Sequence, residues 1–241
     1  MPIGRPRAIL FDLFHTLVSV PPVRDGERLI SDILGVPSSE WQRHFYEEDT
    51  FGRALGRVTD PVDAMRLVAH AIDPSVADDR ILEAVAIRRK RFESALLEVD
   101  PRILDGIVRA RAAGIRTALV SDAGADDVEA WTLSPLRALI DVPVFSFEVG
   151  VRKPAAEIYR HALDALDVGP EEAIFVGDGG SNEHWGARQI GLRTVLVTRL
   201  LSEWWPALVE PRRVHADWVF DDVGAFVDAL ALDGGPLVAS A

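Results

Sequence analysis

Arg7-Ala8-Ile9-Leu10-Phe11-Asp12-Leu13-Phe14-His15-Thr16-Leu17-Val18 is the stretch from which the fold is read. Ala8 to Phe11 is an apolar run too brief for a helix, and it ends in an acid and then a turn. That pattern predicts a buried parallel strand with Asp12 at its carboxyl end. Open α/β sheets carry their chemistry there. Taken alone, Asp12 is either a cap on the following turn or a nucleophile or metal ligand.

Three later stretches have related forms. Ile115-Arg116-Thr117-Ala118-Leu119-Val120-Ser121-Asp122 is a second apolar strand ending in a hydroxyl. Gly150-Val151-Arg152-Lys153-Pro154 sets a lysine just before a helix, and Ala173-Ile174-Phe175-Val176-Gly177-Asp178-Gly179-Gly180-Ser181-Asn182-Glu183 is a third strand ending in paired acids. A strand ending in Asp or Ser is commonplace. Four such stretches in this order resemble the four motifs of the haloacid dehalogenase superfamily of phosphatases, dehalogenases and relatives, and the resemblance covers most of the chain.

The resemblance implies a hydrolase in which Asp12 is a covalent nucleophile, held where an electrophile approaches in line with cations offsetting the charge. Ser121 would bind phosphate oxygens together with the backbone N–H groups of the turn Asp122-Ala123-Gly124. Its other reading is a strand-end serine capping the next helix. Lys153 would neutralise the phosphoryl group and the nucleophile, with Pro154 fixing its backbone at a helix start; otherwise it is an exposed lysine. Asp178 and Glu183 beside Asp12 would form a hard oxygen site for Mg²⁺, with the backbone carbonyl of Phe14 as a further ligand.

Dehalogenases of the superfamily use no metal and typically carry serine and asparagine near the fourth motif, so the two acids favour phosphate chemistry. Glu183 stands where aspartate is usual. Phe14 points the other way: superfamily phosphatases carry there a second aspartate, the general acid and base, whereas dehalogenases carry a non-acid. Tyr159, six residues after Lys153, also fits the dehalogenase pattern. General acid–base catalysis is worth about 10²- to 10⁴-fold. His15, with an ordinary pKa of about 6.5, is the nearest substitute; its other reading is a replacement for the usual glycine that packs against a cap.

Elsewhere the chain alternates in the same spirit. After Pro21-Pro22, residues 19–98 show helical periodicity and no strand signal, including an Asp60-Pro61 helix start, so they are expected to form a separate helical lobe, the helical cap domain that the resemblance implies. In the superfamily such an insertion lies over the active site and selects substrate. Residues 99–241 alternate helices and apolar strands, with a helix expected from Ala125 to about Leu136, strands at Val142 to Phe147, Arg193 to Thr198 and Ala216 to Phe220, and a helix from about Val223. With residues 1–18 they predict an α/β core built on a doubly wound parallel sheet, Rossmann-like. The segment Gly234 to Ala241 has no pattern and is expected to fray.

Composition bounds the remaining options. With 241 residues and 48% hydrophobic content, the chain is long enough for a core plus an insertion. Its net charge of -12 argues against a nucleic-acid partner and favours solubility; a small phosphorylated molecule as the partner is what the resemblance implies. No run approaches the roughly 18 to 20 apolar residues of a membrane span, no signal peptide precedes the first strand, and a cytoplasmic location is expected. The absence of cysteine excludes a disulfide scaffold, a thiolate metal site and a cysteine nucleophile. Arg88-Arg89-Lys90-Arg91 points around a helix and reads as solvated, with an anion-binding face as the alternative. Three functions remain: a Mg²⁺-dependent phosphatase; a 2-haloacid dehalogenase, for which Arg43 or Arg53 would be the arginine in the cap; or a binding protein on a degenerate hydrolase fold.

Overall fold

The first strand, β1 (Ala8–Phe11), is wholly buried because both of its faces are covered. Side chains alternate across a strand. Ile9 and Phe11 therefore join one apolar cluster while Ala8 and Leu10 join another, which is why the run shows no polar alternation. The computed structural model describes residues 3–23 and 26–230.

Five more strands follow: β2 (Arg116–Ser121), β3 (Val142–Phe145), β4 (Ala173–Gly177), β5 (Arg193–Val197) and β6 (Trp218–Phe220). All pairings are parallel, in the order β3-β2-β1-β4-β5-β6. The chain thus builds outward twice from the middle. The reversal falls between β1 and β4, where an open sheet leaves a crevice at its carboxyl edge.

Between β1 and β2 lie helices α1 (Ile30–Leu34), α2 (Ser38–Gln42), α3 (Pro61–Ile72), α4 (Asp78–Leu97) and α5 (Pro101–Ala112). Asp60 caps α3 by accepting from Asp63 N at 2.8 Å, with Pro61 in the first turn. Residues 26–98 contain no strand, and their interior is a cluster of their own around Ile33, Trp41, Phe45, Met65 and Ile81. Arg43–Glu47 widens the end of α2 into a π-turn.

Later helices are α6 (Ser146–Val149), α7 (Ala156–Leu166), α8 (Glu183–Gln189), α9 (Arg199–Trp204), α10 (Val209–Arg213) and α11 (Val223–Asp228). Ile103 and Ile107 of α5 and Phe226 of α11 cover one face of the sheet; Ile158 and Leu163 of α7 and Ala187 of α8 cover the other. The result is a doubly wound parallel α/β sheet with helices on both sides. No helix among the described residues is long and apolar enough to cross a membrane.

Several local expectations need correction. The helix expected from Ala125 to Leu136 is three short 3₁₀ turns, Ala125–Asp127, Trp131–Leu133 and Pro135–Ala138. Pro135 holds Ser134 extended, at φ −67° and ψ 140°, which no continuous helix tolerates. Phe145 ends β3, and Ser146 and Phe147 already belong to α6. Pro154 is not the first residue of a helix: its peptide bond to Lys153 is cis, and α7 begins at Ala156. Residues 234–241 lie outside the described residues.

Candidate active site

Because β1 is bonded to β2 on one side and β4 on the other, Asp12, Ser121 and Asp178 fall at three adjacent strand ends. Lys153 arrives from the loop before α7. Its ammonium bonds Asp12 Oδ1 at 2.5 Å and Glu183 Oε2 at 2.6 Å, with all three side chains buried. Burial alone would lower the Lys153 pKa, but the carboxylates of Asp12, Glu183 and Asp122 outweigh it and hold the ammonium well above its ordinary range. Burial pushes Glu183 up, opposed by Lys153.

Every carboxylate oxygen of the three acids has a protein donor. Thr16 Oγ1 donates to Asp12 Oδ2 at 2.7 Å. Gly179 N donates to Glu183 Oε1 at 2.7 Å and Gly180 N to Asp178 Oδ1 at 2.9 Å, so the glycine turn after β4 aims both acids. Arg212 Nη1 bonds Asp178 Oδ2 and, at 3.1 Å, the Asp178 carbonyl. A side chain on Gly177 would put its Cβ 2.1 Å from Glu183 Oε1, so only glycine lets that carboxylate fold back beneath the strand end. Tyr159 is buried in the core and donates to the Glu183 carbonyl at 2.8 Å, fixing the start of α8.

Asp12, Asp178 and Glu183 each offer an oxygen within 4.8 Å of the others. Buried, acidic and wholly oxygen in its donors, this set fits Mg²⁺ better than a softer ion. Ser121 Oγ is buried without a hydrogen-bond partner, a hydroxyl free to bind.

The expected amide cradle is only partly available. Ala123 N donates to Ser146 Oγ at 3.0 Å and Gly124 N to Asp127 Oδ2 at 2.8 Å, so these two amides are committed within the fold. Asp122 turns its Oδ1 to Lys153 N at 2.8 Å and so holds the lysine's backbone. Burial raises its pKa, with Lys153 opposing.

Phe14 meets Phe92 of α4 edge-on at 5.1 Å, giving Asp12 an aromatic neighbour across the cavity. His15 has φ +66°, the conformation glycine would take with least strain. Its ring packs on Trp205 at 5.0 Å and Trp204 at 5.9 Å, residues that follow β5. Burial lowers its pKa against the pull of Asp178 and Asp12.

A cavity of about 890 Å³ opens over these groups, walled by Phe45, Arg53, Arg88 and Phe92 of the helical segment and by Trp205 and Arg212. Arg88 corrects the reading of its basic run as solvated: it is 4% exposed, with its guanidinium 4.2 Å above the Phe92 ring. Arg88 and Arg53 both pair with Asp126 and Asp127. Arg43 is exposed and pairs with Glu40 and Glu48.

Sequence reading missed Arg212, Thr16, Asp126 and Asp127. Thr16 had a signal, a hydroxyl one short turn after Asp12. Arg212 had none, lying 34 residues beyond Asp178 in a stretch without a motif.

Known proteins have the same arrangement of elements. A family model described as haloacid dehalogenase-like hydrolase matches residues 6–191. CbbY of Cereibacter sphaeroides is 28% identical over 198 residues, 78% of this chain and 83% of that protein. (S)-2-haloacid dehalogenase 1 of Pseudomonas sp. strain CBS-3 is 26% identical over 200 residues, 80% and 85% of the two chains. The structure of L-2-haloacid dehalogenase from Xanthobacter autotrophicus superposes with a TM-score of 0.61 over 92% of this chain and 97% of that one, at 18% identity, a likeness of fold. With four motifs gathered at one sheet edge and most of its length matched by the family model, the chain belongs to the haloacid dehalogenase-like hydrolases.

Proposed function

We propose that the protein is a Mg²⁺-dependent phosphatase of a small phosphorylated metabolite, working through a phosphoryl-Asp12 intermediate. The observation that carries this reading is the convergence of Asp12, Asp178 and Glu183 within 4.8 Å beside Lys153. Three buried carboxylates against one ammonium and one guanidinium leave net negative charge at the strand ends, and their oxygens suit a hard cation. Asp12, Asp178, Glu183 and the Phe14 carbonyl would hold Mg²⁺, which shields negative charge during phosphoryl transfer.

Asp12 attacks phosphorus, forming an acyl phosphate as the ester P–O bond breaks; water then attacks the acyl phosphate and frees inorganic phosphate and the carboxylate. Lys153 holds Asp12 Oδ1 and Thr16 holds Oδ2, which fixes the carboxylate plane for attack. Ser121 Oγ and Lys153 bind phosphoryl oxygens, while Asp122 steadies Lys153. Residues 19–98 act as a cap domain that closes the cavity, with residues 1–18 and 99–241 as the core. The leaving oxygen receives no proton from Phe14, so good leaving groups are favoured.

A dehalogenase reading is favoured by one feature, the Phe14 and Phe92 pair that lines the cavity with Asp12. Release of phosphate from acetyl phosphate and p-nitrophenyl phosphate, with and without Mg²⁺, tests the first reading against chloride release from 2-chloropropionate. Mg²⁺-dependent phosphate release that vanishes in Asp12→Asn is expected. Metal-independent chloride release with no phosphate turnover would replace the phosphatase by the dehalogenase.

A further inference from the structure

Among the described residues, Arg212 is the one guanidinium that touches the carboxylate cluster. It comes from α10, a helix with no buried residue, and reaches Asp178 with a single nitrogen that bonds both the carboxylate and the backbone carbonyl. Its stem lies across Gly179, where an added Cβ would come within 2.9 Å of Arg212 Cβ and 3.3 Å of Cγ and Cδ. The turn thus leaves a channel for this side chain.

The charges decide what such an arginine does. Three carboxylates with Lys153 and Arg212 sum to −1; with Arg212 withdrawn the sum is −2, which matches a divalent ion. A guanidinium and a metal ion on one carboxylate repel each other at short range with little water between them. Little packing holds α10, so withdrawing the side chain disturbs no core.

We propose that Arg212 is a tethered cation that competes with the divalent metal for Asp178, so that metal loading proceeds by exchange of the guanidinium for the ion. The proposal rests on the Mg²⁺ reading of the same site. Between loadings the arginine keeps Asp178 aimed and neutralised; on loading it swings away and frees α10. Arg212 therefore weakens Mg²⁺ binding instead of supporting it, the opposite of what a partner that merely orients a ligand does.

Calorimetric titration of Mg²⁺ into wild type, Arg212→Gln and Asp178→Asn tests the exchange, with hydrogen exchange of residues 206–214 measured with and without Mg²⁺. Arg212→Gln is expected to bind Mg²⁺ about 10-fold more tightly than wild type because a short-range repulsion is removed, Asp178→Asn more weakly, and wild-type α10 to exchange faster when Mg²⁺ is saturating. Equal or weaker Mg²⁺ binding by Arg212→Gln, with binding by wild type intact, overturns the exchange and leaves the Mg²⁺ site standing. No binding by either protein overturns the Mg²⁺ reading and the exchange together. Unfolding midpoints of the variants, compared without metal, separate a folding defect from an affinity change.

Discussion

Arg53 donates to Asp127 at 2.6 Å, joining the helical segment to the turn that follows β2. Arg88 and Asp126 complete a largely buried quartet of two guanidiniums and two carboxylates. Burial would raise the Asp127 pKa, but Arg53 and Arg88 hold it below the usual carboxylate range. Removing one partner strands the other charge, at a cost of about 3 to 5 kcal/mol. Arg53→Ala is therefore expected to lower stability to urea by about 3 kcal/mol. The double variant with Asp127→Ala should lose much less than the sum of the single losses, and strict additivity would show the two residues to be uncoupled.

His184 offers a pH dependence. It is 2% exposed against the Phe175 ring, and burial lowers its pKa to about 4. The unfolded chain, with an ordinary value of 6.5, takes up this proton first. Its contribution to stability is complete above pH 6.5 and is lost as pH falls toward 4, by roughly 3 kcal/mol in all. The difference in unfolding free energy between wild type and His184→Gln, followed from pH 7 to about 4, should narrow by that amount; a pH-independent difference would remove His184 as the source.

Phe14 sets the leaving-group dependence. With no acid there, rates should fall steeply from acyl and aryl phosphates to alkyl phosphates. Phe14→Asp should raise alkyl phosphate turnover more than aryl turnover, by as much as about 10²-fold, provided circular dichroism shows that losing the contact with Phe92 leaves the fold intact. A shallow slope in wild type, made steep by His15→Gln, would instead assign the proton to His15.

Most of the sheet was legible because buried parallel strands are short apolar runs closed by polar residues, as at Phe11-Asp12 and Gly177-Asp178. The convergence of Asp12, Lys153, Asp178 and Glu183 was legible because motif order fixes which strand ends are neighbours. The failures were of another kind. Arg88 sits in a basic run that looks solvated, and only the tertiary fold supplies Asp126 and Asp127 as its partners. The turns after Gly124 have apolar spacing like a helix's, and Ser134-Pro135 is the local signal that breaks it. The backbone amides of Ala123 and Gly124 were assigned to a ligand, although Ser146 and Asp127 take them, and no local pattern announces such a bond.

The central position of β1 has a consequence for synthesis. Of the described strands it is made first, yet its partners are residues 116–119 and 173–176. At about 5 to 20 residues per second, the Ile9-Leu10-Phe11 run waits on the order of 5 to 20 s for its first neighbour and longer for its second. Meanwhile the apolar interior of the helical segment is built from residues already made, whereas Arg53 and Arg88 still await Asp126 and Asp127. The nascent chain therefore carries a collapsed apolar cluster beside an apolar strand that has yet to find either of its neighbours.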